Sequence, residues 1–185
     1  MPSSSAEPHR RRSDAERNHE RILVAARTVL ADRAGEVSMA EVARRAGVGM
    51  ATLYRNFASR RELLEALYAV EVDELCQAVE QVSGPPAGAL VAWLRCFAEF
   101  HRSKHPIAAE LLRHTDAGDP VFGSSRDRVL AAGQPLIVAA QQAHEIRTDV
   151  ALDQVLDLVL AAISIPGEPA YVEPIFRAVL DGLRG

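Results

Sequence analysis

Three Ser-x-x-Glu sequences constrain the fold of this chain more than any other feature. They are Ser13/Glu16, Ser38/Glu41 and Ser59/Glu62. In each, the serine hydroxyl can accept a hydrogen bond from an early backbone N–H while the glutamate reaches back, which favours the start of a helix. Apolar residues follow at helical spacing, and strand signals are nearly absent. The pattern predicts an all-α protein.

Glycine and proline predict where these helices end. We expect the first helix to end near Gly35 and the second, a short one, at Gly47, because glycine is a common C-terminal stop. The third helix is long and should stop at the sequence SGPP, residues 83–86.

Further breaks are predicted in the middle of the chain. A helix at residues 87–105 should be interrupted by Pro106, because the residue before a proline disfavours helical geometry. A short helix through Leu111 should follow. Asp119 is a good N-cap for the next helix, with Pro120 in its first position.

Two more helices and a kink are predicted in the last third of the chain. The helix after Asp119 should reach about Glu145, with Pro135 kinking or splitting it. Asp149 or Asp153 should open the next helix, and the last should begin near Pro174.

The charge of the chain is divided unevenly. Residues 1–61 carry 12 basic and 7 acidic residues, a net +5, whereas residues 62–185 carry 9 and 18, a net −9. A basic head on an acidic body is typical of a protein that binds a polyanion. Chance variation in a solvated surface is the alternative.

Composition also indicates a compartment. No apolar run reaches the roughly 20 residues that cross a bilayer, and the N-terminus lacks the apolar core of a secretory signal. Cys76 and Cys96 form neither a disulfide framework nor a metal-binding spacing. These features favour the reducing cytoplasm.

Residues 38–57 predict a helix-turn-helix. Gly47 can adopt the backbone angles of a tight turn, and Leu53 and Phe57, four residues apart, can face the core together. The side chains left to point elsewhere are Met50, Ala51, Thr52, Tyr54, Arg55 and Asn56. Several of them are donors suited to phosphate oxygens and base edges, so this face is predicted to contact DNA. A surface helix with a solvated polar face is the alternative.

Helix N-termini add a second means of binding phosphate. Helices that begin at Ser38 and Ser59 present free N–H groups, and such helix ends favour anions. The basic pair Arg60 and Arg61 lies next to the second of these ends.

The segment RILVAARTVLADRAGEVSMAEVARRAGVGMATLYRNFASRRELLEAL, residues 21–67, resembles the N-terminal DNA-binding domain of TetR-family transcriptional regulators. Its most specific part is the combination of Gly47 and Val48, the run ATLYRNF at 51–57, Ser59, and the run ELL at 62–64. The resemblance implies a three-helix DNA-binding head. It also implies a fourth, connecting helix and a larger all-helical domain for ligand binding and dimerisation.

The resemblance also assigns DNA contacts by position. Thr52, Tyr54 and Asn56 would contact mostly phosphates, Arg60 would hold phosphate where the family often has lysine, and Ser38 would offer its helix N-terminus.

Three positions depart from the family pattern. Gly49 replaces a small hydroxyl residue and weakens the N-cap of the recognition helix. Ala51 stands where glycine is frequent, and Met50 is apolar where relatives are polar or basic. Met50 could contact a thymine methyl group.

The N-terminal arginines Arg10, Arg11 and Arg12 leave two alternatives open. They resemble an arm that enters the minor groove, or they are disordered and contribute only charge.

Aromatic and polar residues of the C-terminal half form a candidate ligand pocket. They are Trp93, Phe97, Phe100, His101, Leu111, Leu112, His114 and Phe122. By resemblance, the cavity of the family lies among such helices, and aromatic walls with a few polar groups suit a small molecule. Plain core packing is the alternative.

His101 and His105 lie four residues apart, a spacing that can bind a metal. No cysteine or carboxylate lies at a supporting spacing. A favourable interaction of Lys104 and His105 with a helix C-terminus is the preferred explanation of the pattern, and no metal is predicted.

The predicted organisation is a flexible basic arm at 1–12, a helix-turn-helix domain at 13–58, a connecting helix at 59–82 and an effector-binding and dimerisation domain at 83–185. The resemblance implies a ligand-responsive regulator, most often a repressor, that binds a palindromic operator on double-stranded DNA as a homodimer and is released by a small molecule. The predicted dimer interface is formed by the helices at about 152–163 and 174–183, because the first of them has more apolar residues than one inward stripe requires: Val155, Leu156, Val159, Leu160 and Ile163. The alternative is a DNA-binding regulator or architectural protein without small-molecule control. No enzyme motif such as G-x-S-x-G or H-E-x-x-H occurs, so neither catalysis nor a cofactor is expected.

Overall fold

The computed structural model describes residues 7–32, 37–112 and 119–184 of the 185-residue chain, without the side chains of 7–13 and 103–106. These residues form eight α-helices and no strand. The helices are α1 (Glu7–Asp32), α2 (Met39–Ala46), α3 (Met50–Asn56), α4 (Arg60–Gln77), α5 (Pro86–Leu112), α6 (Pro120–Gln142), α7 (Leu152–Ile163) and α8 (Pro169–Asp181). A 3₁₀ turn at Ala78–Glu80 extends α4. The all-α prediction is confirmed.

The first helix begins earlier than predicted. Ser13 lies inside α1 and not at its N-cap, because α1 begins at Glu7. Pro8 does not prevent this start, since the N–H groups of a first helical turn have no intrahelical partner. The predicted arm therefore overlaps α1 from residue 7 onwards, whereas residues 1–6 lie outside the described residues.

Proline interrupts the helices less than predicted. Pro106 lies inside α5, which continues to Leu112, and Pro135 lies inside α6 without splitting it. A proline inside a helix removes one hydrogen bond, at a cost of about 3 kcal/mol. The apolar residues that follow the two prolines offset this cost, because the side chains of Ile107 and Ile137 are both buried.

The last two helices also begin elsewhere than predicted. Helix α7 has Ala151 as its N-cap, and the side-chain oxygen of Gln154 accepts a 2.9 Å bond from the Ala151 N–H. Asp149 does not cap the helix because Arg147 holds its carboxylate at 2.6 Å. Helix α8 begins at Pro169, five residues before the predicted Pro174, which lies inside it.

The chain divides into two compact units. Residues 1–69 with 106–117 form the first, and residues 70–105 with 118–185 form the second. The boundaries between the two units lie inside α4 and α5. The domain boundaries predicted from the sequence, at 58/59 and 82/83, lie at predicted helix ends instead.

The first unit contains the three-helix head. Helices α2 and α3 both contact α1, and they contact each other. The buried core of the head comes from all three helices and the residues that follow them: Ile22, Ala26, Val29, Val42, Leu53 and Phe57. The ring of His19 on α1 stacks on Phe57, with the ring centroids 4.6 Å apart.

In the second unit, α7 contacts both α6 and α8. Its core is centred on Trp93 of α5, whose side chain is fully buried. The indole Nε1 donates to the Leu75 carbonyl at 3.3 Å, which satisfies its only polar atom.

The described residues contain no helix that is both long enough and apolar enough to cross a membrane.

Close packing of Trp93 against α6 leads to a stability prediction. A Cβ built on Gly133 would lie 2.3 Å from the Trp93 ring, so Gly133→Ala must displace the indole or the helix. We expect a loss of about 1–3 kcal/mol in the free energy of unfolding, which is typical of an overpacked core. Urea titration followed by fluorescence of Trp93, the single tryptophan, measures it.

Gly123 of the same helix provides the control, because a Cβ added there would meet no other described side chain within 4 Å. Gly123→Ala should be neutral or stabilising by up to about 1 kcal/mol. Equal effects of the two substitutions would contradict the packing described for Gly133.

Candidate DNA-binding interface

The second helix begins as the sequence predicts. Ser38 is its N-cap, with extended backbone angles (φ −89°, ψ 117°), and its hydroxyl accepts a 3.4 Å bond from the Glu41 N–H. Glu41 does not make the return hydrogen bond of a capping box. Its carboxylate accepts from Arg44 at 2.7 Å and from Arg45 at 2.8 Å.

The turn between α2 and α3 depends on Gly47, which has φ 63° and ψ 36°. The Val48 N–H donates to the Ala43 carbonyl at 3.0 Å and the Gly47 N–H to the Arg44 carbonyl at 3.2 Å. This pair of bonds is a Schellman motif, which closes a helix through a left-handed residue. The predicted role of Gly47 is confirmed.

Arg21 of α1 stabilises the same turn. Its guanidinium donates to the Ala46 carbonyl at 2.5 Å, and so places a cation at the C-terminus of α2. A Cβ on Gly47 would lie 2.8 Å from this guanidinium. Glycine is therefore favoured here by the left-handed backbone angles, and any Cβ would in addition have to displace the end of the Arg21 side chain.

The inner face of α3 is apolar, as predicted. Leu53 is 0 % exposed, and Phe57, directly after the helix, is 1 % exposed. The N-cap of α3 is Gly49, which makes no side-chain hydrogen bond, as its lack of a hydroxyl implies. This short helix is therefore oriented by its buried residues and not by its cap.

The outer face of α3 carries the predicted DNA-contacting residues. Met50 is 41 % and Tyr54 is 48 % exposed, Ala51 and Arg55 are exposed, and Thr52 and Asn56 are half-buried. Met50 and Tyr54 thus offer an apolar group and a phenol hydroxyl on the exposed side of this short helix.

Two of these polar side chains are held by their own helix. The Arg55 guanidinium donates to the Thr52 hydroxyl at 3.0 Å and to the Ala51 carbonyl at 3.2 Å. The Asn56 amide donates to the Thr52 carbonyl at 2.8 Å. These bonds fix the directions of Arg55 and Asn56, while the Tyr54 side chain extends into solvent.

The start of α4 lies next in the chain. The Ser59 hydroxyl accepts from the Glu62 N–H at 3.1 Å, and the Glu62 carboxylate accepts from the Ala58 N–H at 2.7 Å. The predicted capping box is thus present, with its return bond shifted by one residue.

Arg60 occupies a different environment from the one predicted. Its guanidinium forms an ion pair with Glu110 of α5, a carboxylate whose side chain is 1 % exposed. The Arg60 side chain itself is 31 % exposed. A phosphate that binds Arg60 must therefore compete with Glu110, because both groups need the same guanidinium.

Nearby carboxylates partly neutralise the positive charge of α2. The hydrogen bonds from Arg44 and Arg45 lower the pKa of Glu41 to about 2. Arg45 also contacts Asp32 at 2.6 Å. The positive charge that this helix offers to a polyanion is thus smaller than the arginine content suggests.

Sequence patterns did not reveal Arg21 or Glu110. Arg21 lies 25 residues before its acceptor, and Glu110 lies 50 residues after Arg60. No local spacing links such pairs, because they meet only through tertiary packing. The predicted arm residues Arg10, Arg11 and Arg12 lie in α1, but their side chains are outside the described residues.

The predicted pocket residues are divided between the two units. Trp93, Phe97, Phe100, His101 and Phe122 belong to the second unit, whereas Leu111, which is buried, and Leu112, which is 44 % exposed, belong to the first. His114 lies outside the described residues.

Within the second unit, α5 carries a continuous aromatic row. The Phe97 ring lies 6.3 Å from Trp93 and 4.6 Å from His101, and Phe100 lies 5.1 Å from His101. Burial lowers the pKa of His101 to about 4, with a smaller contribution from Arg126. His101 is therefore a neutral imidazole at pH 7 and can offer one donor and one acceptor.

The described residues contain no group of three or more His, Cys, Asp or Glu side chains arranged to hold a metal. The side chain of His105, the predicted companion of His101, is outside them. Cys76 is half-buried, which raises the pKa of its thiol, and Cys96 is exposed.

Comparison with protein families matches both parts of the chain. Residues 22–67 match the family described as bacterial regulatory proteins, tetR family. Residues 85–185 match the C-terminal domain described as transcriptional regulator SbtR-like. No curated protein matches the chain.

Solved structures show the same similarity. The TetR transcriptional regulator SCO0520 from Streptomyces coelicolor is 37 % identical over 90 % of this chain and 98 % of its own, with a TM-score of 0.71. The TetR transcription regulatory protein from Mycobacterium vanbaalenii is 27 % identical over 94 % of this chain and 99 % of its own, with a TM-score of 0.74. RolR, solved with its ligand resorcinol, is 21 % identical over 92 % of this chain and 89 % of its own, with a TM-score of 0.62.

The family match to residues 85–185 covers more than half of the chain, and the Streptomyces relative is more than one-third identical over nine-tenths of it. The all-α architecture and the helix-turn-helix head agree with both findings. The chain belongs to the TetR family of transcriptional regulators.

Proposed function

We propose that this regulator binds a palindromic operator as a homodimer and represses transcription until a small-molecule effector releases it. The DNA-binding part of this proposal rests on the side chains exposed on the outer face of α3. Met50, Thr52 and Tyr54 are presented there by a helix whose Leu53 is fully buried. Donors and an apolar group on one rigid helix suit both phosphate contact and base readout in the major groove.

The effector part has different support. RolR was solved with resorcinol, and at 21 % identity it shares the fold with this chain. In the second unit of this chain, Phe97 and Phe100 lie beside the neutral His101 on α5, which brings apolar rings and a hydrogen-bonding group together. Such a combination is typical of small-molecule sites.

Selection of operator fragments from a random DNA pool by the purified protein tests the proposal. We expect retained sequences with two-fold symmetric half-sites about one helical turn apart, because a symmetric dimer places two recognition helices in successive major grooves. Retained fragments without shared sequence would favour an architectural DNA-binding protein instead.

The exposed hydroxyl of Tyr54 gives a first prediction for DNA affinity. Tyr54→Phe should weaken binding by about tenfold on all operators, since it removes a hydrogen bond to a charged phosphate. Fluorescence anisotropy with labelled operator measures the change. Tyr171→Phe is the control, because Tyr171 is 61 % exposed on α8 and outside the head. Equal affinities of both variants and the parent would remove Tyr54 from the interface.

The ion pair at the start of α4 gives a second prediction. Glu110→Gln keeps the size of the side chain but removes the charge that competes with phosphate for Arg60. We expect tighter operator binding and a plot of log affinity against log salt that is steeper by about one unit. Arg60→Ala should weaken binding and flatten the same plot by about one unit.

The double variant separates direct competition from a structural effect. If Glu110 acts only through Arg60, Glu110→Gln should have no effect on affinity in the Arg60→Ala background. Weaker binding by Glu110→Gln alone, with an unchanged thermal midpoint, would show that the pair supports the DNA-bound form and does not compete with phosphate.

Dimerisation gives a third prediction. Val155, Leu156 and Val159, expected from the sequence to supply apolar surface for a partner, are buried inside the chain. Leu158 is 48 % exposed on α7, which makes it the better candidate for an interface.

Leu158→Glu should shift the mass measured by light scattering from dimer to monomer, because a charge in an apolar contact is not compensated. It should weaken operator binding as well. Val24→Glu is the control for mass, since Val24 is 66 % exposed on α1. A Leu158→Glu variant that stays dimeric would place the interface elsewhere.

A further inference from the structure

Arg55 differs from the arginines near it in its charge partners. Residues 37–62 contain five arginines. Four of them form ion pairs with carboxylates: Arg44 and Arg45 with Glu41, Arg60 with Glu110, and Arg61 with Glu65. Arg55 is exposed and forms no ion pair with any residue that the structure describes. Its positive charge is therefore not neutralised by a carboxylate of the described part of the chain.

The Arg55 side chain folds back along its own helix. Its Nε donates to the Ala51 carbonyl at 3.2 Å, and its Nη2 donates to the Thr52 hydroxyl at 3.0 Å. Long helical side chains lean toward the N-terminus of their helix, so that their ends cover the preceding turn. The guanidinium thus lies beside Ala51 and Thr52, about one turn closer to the start of α3 than the Arg55 backbone.

These two hydrogen bonds use one edge of the guanidinium and leave another edge available. An arginine side chain has five N–H donors in a planar fork. The bonds to the helix take the Nε–H and one Nη2–H, so both Nη1–H groups and the second Nη2–H remain for a ligand. Two of the remaining donors, one on each Nη atom, are parallel and can donate to two neighbouring acceptors at once.

Guanine presents two such acceptors in the major groove. Its N7 and O6 lie side by side there, and bidentate donation by arginine to this pair is the commonest specific contact between a protein and a DNA base. In helix-turn-helix proteins, the N-terminal residues of the recognition helix contact base edges. At this end of α3, the side chain of Ala51 is only a methyl group and Gly49 has none, so neither side chain can donate to a base. Arg55 supplies the donors that these two positions lack.

We propose that Arg55 binds a guanine in each half-site of the operator and that Thr52 is its positioning residue. This inference rests on the proposed function, because it requires α3 to enter the major groove. The bond to Thr52 holds the guanidinium in place before DNA binds, so less side-chain freedom is lost on binding. A half-site with another base at this position would lose at least one of the two hydrogen bonds.

Parallel selections from one random pool of double-stranded DNA test the assignment. The parent protein should retain half-sites that share a guanine. The half-sites retained by Arg55→Ala should lose the preference for that guanine and keep the other shared bases. If Arg55 contacted only phosphate, Arg55→Ala would weaken binding to all fragments and leave the guanine preference unchanged, and this result would overturn the proposal.

A modified base identifies the atoms involved. Deazaguanine, in which a C–H group replaces N7, still pairs with cytosine but offers Arg55 one acceptor fewer. Placed at the shared guanine of a retained fragment, it should weaken binding of the parent protein by about tenfold, the effect of one hydrogen bond to a charged group. The affinity of Arg55→Ala should not change. Fluorescence anisotropy measures both affinities, and equal losses in the two proteins would contradict the assignment.

Variants of Thr52 test its role as a positioning residue. Thr52→Val keeps the shape but removes the hydroxyl, so the loss caused by deazaguanine should fall from about tenfold to about threefold, because the guanidinium is no longer held. Thr52→Ser keeps the hydroxyl and should retain the full loss. Thr28→Val is the matched control, because Thr28 is exposed on α1 and its hydroxyl donates to the Val24 carbonyl of that helix.

The effect of deazaguanine also distinguishes positioning from a phosphate contact made by Thr52 itself. A phosphate contact predicts that Thr52→Val weakens binding to both fragments equally. An unchanged tenfold ratio in Thr52→Val would therefore overturn the positioning role of Thr52.

These outcomes separate the inference from the proposed function. Fragments retained by the parent protein without shared half-sites would contradict sequence-specific operator binding, and the assignment to Arg55 would fall with it. Symmetric half-sites in which no guanine depends on Arg55 would support the proposed function and overturn the assignment alone.

Discussion

The burial of Leu53 and Phe57 is the constraint on which the DNA-binding head depends. Helix α3 has seven residues and a glycine N-cap without a side-chain bond. A helix this short is not stable alone, so its orientation is determined by the two apolar side chains and by His19, which stacks on Phe57. The positions of the side chains on the outer face of α3 follow from the burial of Leu53 and Phe57.

The turn before α3 adds the second part of this arrangement. The left-handed conformation of Gly47 reverses the chain, and Arg21 closes the end of α2 through the Ala46 carbonyl. Two helices and a turn thus form one rigid element, in which a displacement of α1 would be transmitted through Arg21. The ion pair of Arg60 with Glu110 connects the start of α4 to the end of α5 within the same unit.

Helix α5 has two functions in the second unit. One side buries Trp93, whose ring approaches Gly133 so closely that no larger residue fits there. Another side, with Glu99 and Phe100, lines a groove of about 440 Å³ beside α4.

The sequence by itself determined the local structure of the head. Ser38, Gly47 and the spacing of Leu53 and Phe57 act through backbone geometry and helical periodicity, which depend on neighbours within a few residues. For that reason α2, the turn and α3 could be predicted, together with which side of α3 faces outward.

Only the tertiary structure decided the partners of the charged side chains and the continuity of the long helices. Glu110 reaches Arg60 across 50 residues, and no local pattern encodes that contact. Pro106 and Pro174 were expected to break or begin helices, yet α5 and α8 pass through them, because the burial of Ile107 and Phe176 beyond each proline outweighs one lost hydrogen bond. Likewise, the sequence predicted that Val155 and Val159 on α7 face a partner subunit. The fold buries both side chains and leaves Leu158 exposed. Burial depends on how helices distant in sequence meet, and this is a property that periodicity alone does not contain.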